Sequence, residues 1–120
     1  MRIRIAILAL ALVAAVPAAF GAVHTEPIDT TGVLLDVMCS EGATQASAAK
    51  HTRECGLMEH CVKSGYGIVI GGKFHKFDAE GNRQAEAIFR ATKKTENITV
   101  RVEGTLQHAG DITVTKLTEV

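Results

Sequence analysis

The chain has 120 residues, which is enough for one domain and too few for two. Its 13 basic residues balance its 13 acidic residues, and aromatic residues make up only 4% of the sequence. A protein that binds nucleic acid usually has a basic surface or exposed stacking rings, so this composition argues against nucleic acid as a partner.

The first 22 residues have the pattern of a secretory signal peptide. Arg2 and Arg4 precede an unbroken apolar run at residues 5–16, and Pro17 and several small residues follow it. The segment is just long enough for an uncleaved anchor, but Pro17 and the short apolar core favour cleavage. We therefore predict a signal peptide at 1–22 and one exported domain, periplasmic or secreted, at 23–120. After cleavage this domain has a net charge of −2, because both arginines leave and no acid does, and it has no stable membrane anchor.

The first half of the exported part contains one clear strand and one helical pattern. Residues 31–38 alternate between apolar side chains on one face and mixed side chains on the other, which predicts a strand. Residues 40–49 are small and polar and favour a loop leading into a helix. Residues 51–64 carry apolar and sulfur-bearing side chains three and four positions apart, which predicts a helix ending before Gly65, although Gly56 interrupts the pattern.

The second half begins with a hairpin pattern. Residues 68–70 and 73–77 flank Gly71 and Gly72, which supply the positive φ angles that a two-residue turn requires. Apolar side chains then recur at i, i+3, i+4 and i+7 from Ala85 to Thr92, which predicts an amphipathic helix.

Two more strands are predicted near the end, at residues 98–106 and 112–115, with a bulge or strand end at Lys116. The element order predicts a mainly β (α+β) fold: a five-stranded OB-like barrel, with a cysteine-bearing helical insert after strand 1 and a helix between strands 3 and 4. The alternative is an open antiparallel sheet with helices packed on one face.

The residues that carry these features resemble a group of small exported bacterial proteins. In that group a strand with the pattern G-x-x-x-D-x-x-C precedes a His/Cys/Cys insert; here the pattern is Gly32, Asp36 and Cys39, followed by His51, Cys55 and Cys61. The similarity covers essentially the whole exported domain. It implies an OB-like barrel and export.

Three cysteines in an exported chain predict one disulfide and one remaining thiol. A single continuous helix would separate Cys55 and Cys61 by about 9 Å along its axis, which is beyond the reach of a disulfide. A bridge from Cys39 to Cys55 or to Cys61 is therefore preferred, and it would stabilise the fold by about 3 kcal/mol.

The same cysteines also fit a metal site. Together with one histidine they form a Cys3His set, a combination that binds zinc tetrahedrally. The candidate ligands are Cys39, His51, Cys55 and Cys61. Adding Met58 or His60 would shift the preference towards copper(I). The spacing lacks the two-residue Cys-Cys knuckle of zinc ribbons, so disulfide and metal site both stay open.

Catalysis has little support, because the sequence contains none of the common hydrolase, zinc-protease or Cys-x-x-Cys redox motifs. Asp36 is interpreted as a strand-face charge and Asp78 as a turn residue. We predict a small exported binding module, stapled by a disulfide, for an unknown small ligand or protein. The alternative is a protein that binds one zinc or copper ion, and a thiol-dependent enzyme is the weakest hypothesis.

Overall fold

The computed structural model describes residues 24–120. The predicted signal peptide at 1–22 lies outside the described residues. Within residues 24–120 no helix is both long enough and apolar enough to cross a membrane.

Residues 24–120 form one sheet of five antiparallel strands. The strands are β1 (Glu26–Asp36), β2 (Tyr66–Ile70), β3 (Lys73–Lys76), β4 (Thr99–Leu106) and β5 (Ile112–Glu119). Their order in the sheet is β3-β2-β1-β4-β5, and the sheet is open. This arrangement confirms the mainly β, α+β class.

The central strand β1 is longer than the sequence pattern predicts. Its first residues, Glu26 to Thr31, pair with β4, whereas its last residues, Val33 to Asp36, pair with β2. The first part is largely exposed and the last five residues are buried. A hydrophobic pattern cannot identify the exposed part as a strand, because backbone pairing to β4 forms it.

The two hairpin signals are found where the sequence predicts them. Gly71 and Gly72 both have positive φ, 56° and 83°, and join β2 to β3 as a two-residue turn. In the second hairpin, Glu103 pairs with Lys116 but the next residue of β4, Gly104, pairs with Val114. Thr115 is thus an extra residue, and the bulge lies one position from the predicted break at Lys116.

The described part of the chain also contains four α-helices: α1 (Gln45–Ala48), α2 (Arg53–Gly56), α3 (Glu59–Ser64) and α4 (Ala79–Ala91). A single turn of 3₁₀ helix, Val37–Cys39, follows β1 directly. The prediction of one helix over residues 51–64 is wrong in detail. The chain leaves helical geometry after Gly56, and Met58, with φ −63° and ψ 141°, begins α3 in extended conformation.

The main hydrophobic core lies between the sheet and α4. Alternate residues of β1 point to opposite faces, so Leu34 enters this core while Val33 and Leu35 join a smaller cluster with Ala48 on the other face. Phe89 of α4 is fully buried in the main core and stacks on Tyr66 with ring centroids 5.2 Å apart. The Tyr66 hydroxyl donates to the Gly56 carbonyl at 2.6 Å, which fastens α2 to this core.

Candidate metal centre

Asp36 is the last residue of β1 and its side chain is fully buried. Its carboxylate accepts two hydrogen bonds, one from the Cys39 backbone N–H at 3.0 Å and one from His51 Nε2 at 2.6 Å. The first bond caps the 3₁₀ turn and so fixes the direction in which the chain leaves β1. The interpretation of Asp36 as a strand-face charge is wrong, because the charge lies inside the protein beside a polar partner.

His51 lies between α1 and α2, and both its backbone and its ring make contacts that fix its position. Its backbone N–H donates to Ala48 O at 3.1 Å, and its carbonyl accepts from Asn97 N at 3.3 Å. The edge of its ring faces Phe89, with centroids 6.0 Å apart and planes at 72°. The side chain is 6% exposed, and Nδ1 is buried without a hydrogen-bond partner.

The hydrogen bond between Asp36 and His51 determines which ring nitrogen carries a proton. Burial raises the pKa of Asp36, but the hydrogen bond and charge of His51 and the Cys39 N–H lower it by more, so the net pKa is lowered and the carboxyl is ionised near neutral pH. A carboxylate can only accept, so Nε2 is the protonated nitrogen. In the neutral ring, Nδ1 then has a lone pair that no protein donor uses.

The end of β1 is brought against α3 by two hydrogen bonds. Val37 N donates to Gly65 O at 2.9 Å, and Met38 N donates to Ser64 Oγ at 3.3 Å. These bonds bring Cys39, at the end of the 3₁₀ turn, to the helix that carries the buried Cys61.

Cys55 lies on α2, and Arg53 fixes the position of that helix. Arg53 fastens that helix to the end of α4, because its guanidinium donates to Phe89 O at 2.8 Å and to Arg90 O at 3.0 Å. These carbonyls are at the negative end of the α4 dipole, which suits a cation.

The Asp36 carboxylate affects the thiols of both Cys39 and Cys61. Burial and the Asp36 carboxylate raise the pKa of Cys61 to about 11, with smaller contributions from Cys39 and Cys55. Burial and Asp36 also raise the pKa of Cys39, and Cys55 adds to the rise. All three cysteines are free thiols in this structure; Cys39 and Cys55 are exposed and Cys61 is buried.

Three of these residues form a compact set of potential metal ligands. One oxygen of Asp36, the sulfur of Cys39 and one ring nitrogen of His51 all lie within 4.8 Å of one another. Of the predicted set, the structure brings Cys39 and His51 together. Cys55 and Cys61 are outside this compact set, and each makes only a minor contribution to the pKa of Cys39. Asp36 was missed as a member. The signal for it was its place three residues before Cys39, at the end of a largely apolar strand.

The other polar candidates have separate roles. Asp78, interpreted as a turn residue, is the N-cap of α4, and its Oδ1 accepts from Gly81 N at 3.0 Å and from Val114 N at 3.1 Å. His75 contacts Gly110 O through Nδ1 at 2.7 Å. Neither belongs to the cluster of Asp36, Cys39, His51, Cys55 and Cys61, which we call the Asp-His-thiol cluster.

Comparison with known proteins does not identify a family. The chain matches no protein-family model, and it has no significant match among curated proteins or solved structures.

Proposed function

We propose that this protein binds one transition-metal ion, zinc or copper, at the Asp-His-thiol cluster. The observation that carries the proposal is the convergence of three different donor types, a carboxylate, a thiol and an imidazole, within 4.8 Å. Thiolate and imidazole are the ligands that zinc and copper prefer in proteins.

The buried ring nitrogen of His51 is a second reason for the proposal. A histidine that binds a metal usually donates its other ring N–H to a carboxylate, which fixes the tautomer and the ring orientation. Asp36 and His51 already have this relationship through Nε2, and Nδ1 is the nitrogen without a partner. Asp36 is thus either the carboxylate that orients His51 or a ligand itself.

The charges of the cluster also favour a cation. The raised pKa values of Cys39 and Cys61 mean that desolvation, together with the Asp36 charge, makes further negative charge costly at this place. A bound cation reverses that cost, since it stabilises thiolates and releases their protons on binding. Cys39, His51 and Cys61 are the ligands we propose, with Cys55 as the fourth donor.

We propose binding rather than catalysis for the same thiols. A reactive cysteine needs a lowered pKa, because the thiolate is the nucleophile. Burial and Asp36 act in the opposite direction on Cys39 and Cys61, so neither is an activated nucleophile.

A disulfide staple between Cys39 and Cys61 is the second candidate. It is favoured by the two hydrogen bonds that bind the end of β1 to the end of α3. If residues 1–22 direct export, the domain enters an oxidising compartment, where such a bridge persists. The protein would then be a periplasmic or secreted binding module for a small ligand or a protein.

We also propose that the fold is an OB-like barrel, although the described sheet is open. A parallel bridge joins Phe77, just after β3, to Ile112 at the start of β5, and Asp78 N donates to Ile112 O at 3.1 Å. These contacts between the two edge strands are the support for barrel closure.

The test is metal binding by the reduced, metal-free protein. We expect about one equivalent of Zn²⁺ in competition titrations with a chromophoric chelator, and release of protons on binding. Cys39→Ser and His51→Gln should each weaken binding by about 100-fold or more, since each removes a proposed ligand. His108→Gln is the matched control, because His108 is exposed and outside the cluster.

Two results would count against the proposal. One is a folded, fully reduced protein that leaves both zinc and copper(I) with weak chelators. The other is binding that the control weakens as much as Cys39→Ser does. Thiol titration of the protein as purified, before any reductant is added, separates the disulfide candidate: a bridged protein has one free thiol, and a protein without a bridge has three.

A further inference from the structure

Both methionines of the described residues lie beside the Asp-His-thiol cluster, and both are exposed. Met38 is 60% exposed and Met58 is 46% exposed; Val120 is the third large hydrophobic residue exposed among residues 24–120. A single exposed apolar side chain is ordinary. Two exposed methionines that lie next to the same three thiols are not explained by this general rule.

Met58 is joined to two of the thiols by the backbone. Its N–H donates to Cys55 O at 3.2 Å, and its carbonyl accepts from Cys61 N at 2.9 Å. It occupies the break between α2 and α3, where the extended backbone leaves its side chain half exposed to solvent.

Met38 approaches from the other side. It precedes Cys39 in the 3₁₀ turn, and its N–H donates to Ser64 Oγ at 3.3 Å. That hydroxyl donates in turn to the Cys61 carbonyl at 2.7 Å. Met38 therefore lies in the turn that follows β1, and Met58 lies at the start of α3, the helix that contains Cys61.

We infer that the ion is copper(I), and that the thioether of Met38 or Met58 replaces Cys55 as its outermost ligand, at the solvent-facing side of the cluster. This inference rests on the proposed function. Thioether sulfur is a soft ligand that copper(I) accepts and zinc does not favour. Methionine also has three rotatable bonds, so an exposed side chain can turn towards an ion without a change in the backbone.

The potential metal ligands differ in how deeply they are buried. Asp36, His51 and Cys61 are buried, whereas Cys39, Cys55 and the two methionines are exposed. Thiolate and thioether sulfurs are both soft ligands for copper(I), so the exposed sulfurs are placed to meet the ion before the buried donors do. The exposed sulfurs are thus the entry side of the site.

The experiment compares two metals and two variants of the full chain under anaerobic, reducing conditions. Copper(I) is titrated in competition with bicinchoninate, and Zn²⁺ with a chromophoric zinc chelator. The double variant Met38→Leu/Met58→Leu keeps the apolar bulk and removes both thioethers. Val120→Ala is the matched control, because Val120 is also exposed but lies at the far end of β5.

We expect the double variant to weaken copper(I) binding about tenfold or more, on the scale seen when supporting groups of a metal site are lost, and to leave zinc binding unchanged. Unchanged copper(I) affinity in the double variant would overturn the role of the thioethers, and a protein that prefers zinc to copper(I) would overturn the choice of ion. In both cases the proposed function survives if Cys39→Ser still abolishes binding. If the wild type binds neither ion, both proposals fail.

Discussion

Replacing Asp36 by alanine tests whether the buried Asp36–His51 pair holds the insert on the sheet. Asp36 is fully buried and accepts from His51 Nε2 at 2.6 Å and from Cys39 N at 3.0 Å. The substitution leaves the buried His51 Nε2 and the part-buried Cys39 N without an acceptor and opens a small cavity. Removing one partner of a buried pair typically lowers the free energy of unfolding by about 3–5 kcal/mol, and we expect this range.

The conservative variant Asp36→Asn separates charge from shape. An amide oxygen can still accept from Cys39 N, and the amide N–H can donate to His51 if the ring shifts its proton to Nδ1. Both bonds are then between neutral groups, so the expected loss is about 1–2 kcal/mol. This variant also keeps the comparison usable if Asp36→Ala does not fold.

The assay is urea unfolding of the reduced, metal-free protein, followed by circular dichroism. Asp29→Ala is the matched control, because Asp29 also pairs with a base, the Arg101 guanidinium at 2.7 Å, but on the exposed surface of the sheet. Exposed pairs contribute little, so we expect no resolved shift of its midpoint. The reasoning fails if Asp36→Ala moves the urea midpoint no further than Asp29→Ala does.

Three further predictions follow from the same region. The folded-state pKa of Asp36 is lowered from 3.8, so its ionised form contributes stability that is present above about pH 4 and lost as the pH falls below that value. The free energy of unfolding, measured at decreasing pH, should show this loss in the wild type and a smaller loss in Asp36→Asn. With a thiol-specific reagent at pH 8, we expect two fast thiols and one slow thiol in the reduced protein, since Cys61 is 3% exposed with a pKa of about 11; three equal rates in the folded protein would contradict this. Gly56→Ala should lower the free energy of unfolding by about 1–3 kcal/mol, because the new Cβ would lie 2.6 Å from a ring carbon of Phe89, and an unchanged thermal midpoint would argue against that packing.

The sequence predicts the individual strands and the helix α4 better than the closure of the sheet, because the signals for single elements are local. The turn at Gly71 and Gly72 depends on two adjacent residues, and the helix α4 depends on a repeat within one segment. Chain order then limits the antiparallel pairings to a few. The exposed first half of β1 was not predictable in this way, since nothing but its pairing with β4 makes it a strand.

The cluster was only partly predictable, because burial of a charge depends on a distant partner. Cys39 and His51 could be named from their residue types alone. Asp36 could not be distinguished from an ordinary strand-face acid, because its partner is fifteen residues later and approaches only after the insert folds back on the sheet. The break before Met58 had only one signal in the sequence, Gly56, and that residue is also compatible with a continued helix.

The position of Asp36 at the end of the central strand has a consequence for how the cluster responds to fluctuations. β1 is hydrogen-bonded on both sides, to β2 and to β4, and it contributes to both hydrophobic clusters. Strands of this kind are among the last segments to exchange their amide protons with solvent. The cluster is thus anchored at one end to the slowest-opening part of the chain, while Cys55 and Cys61 lie on the short helices α2 and α3.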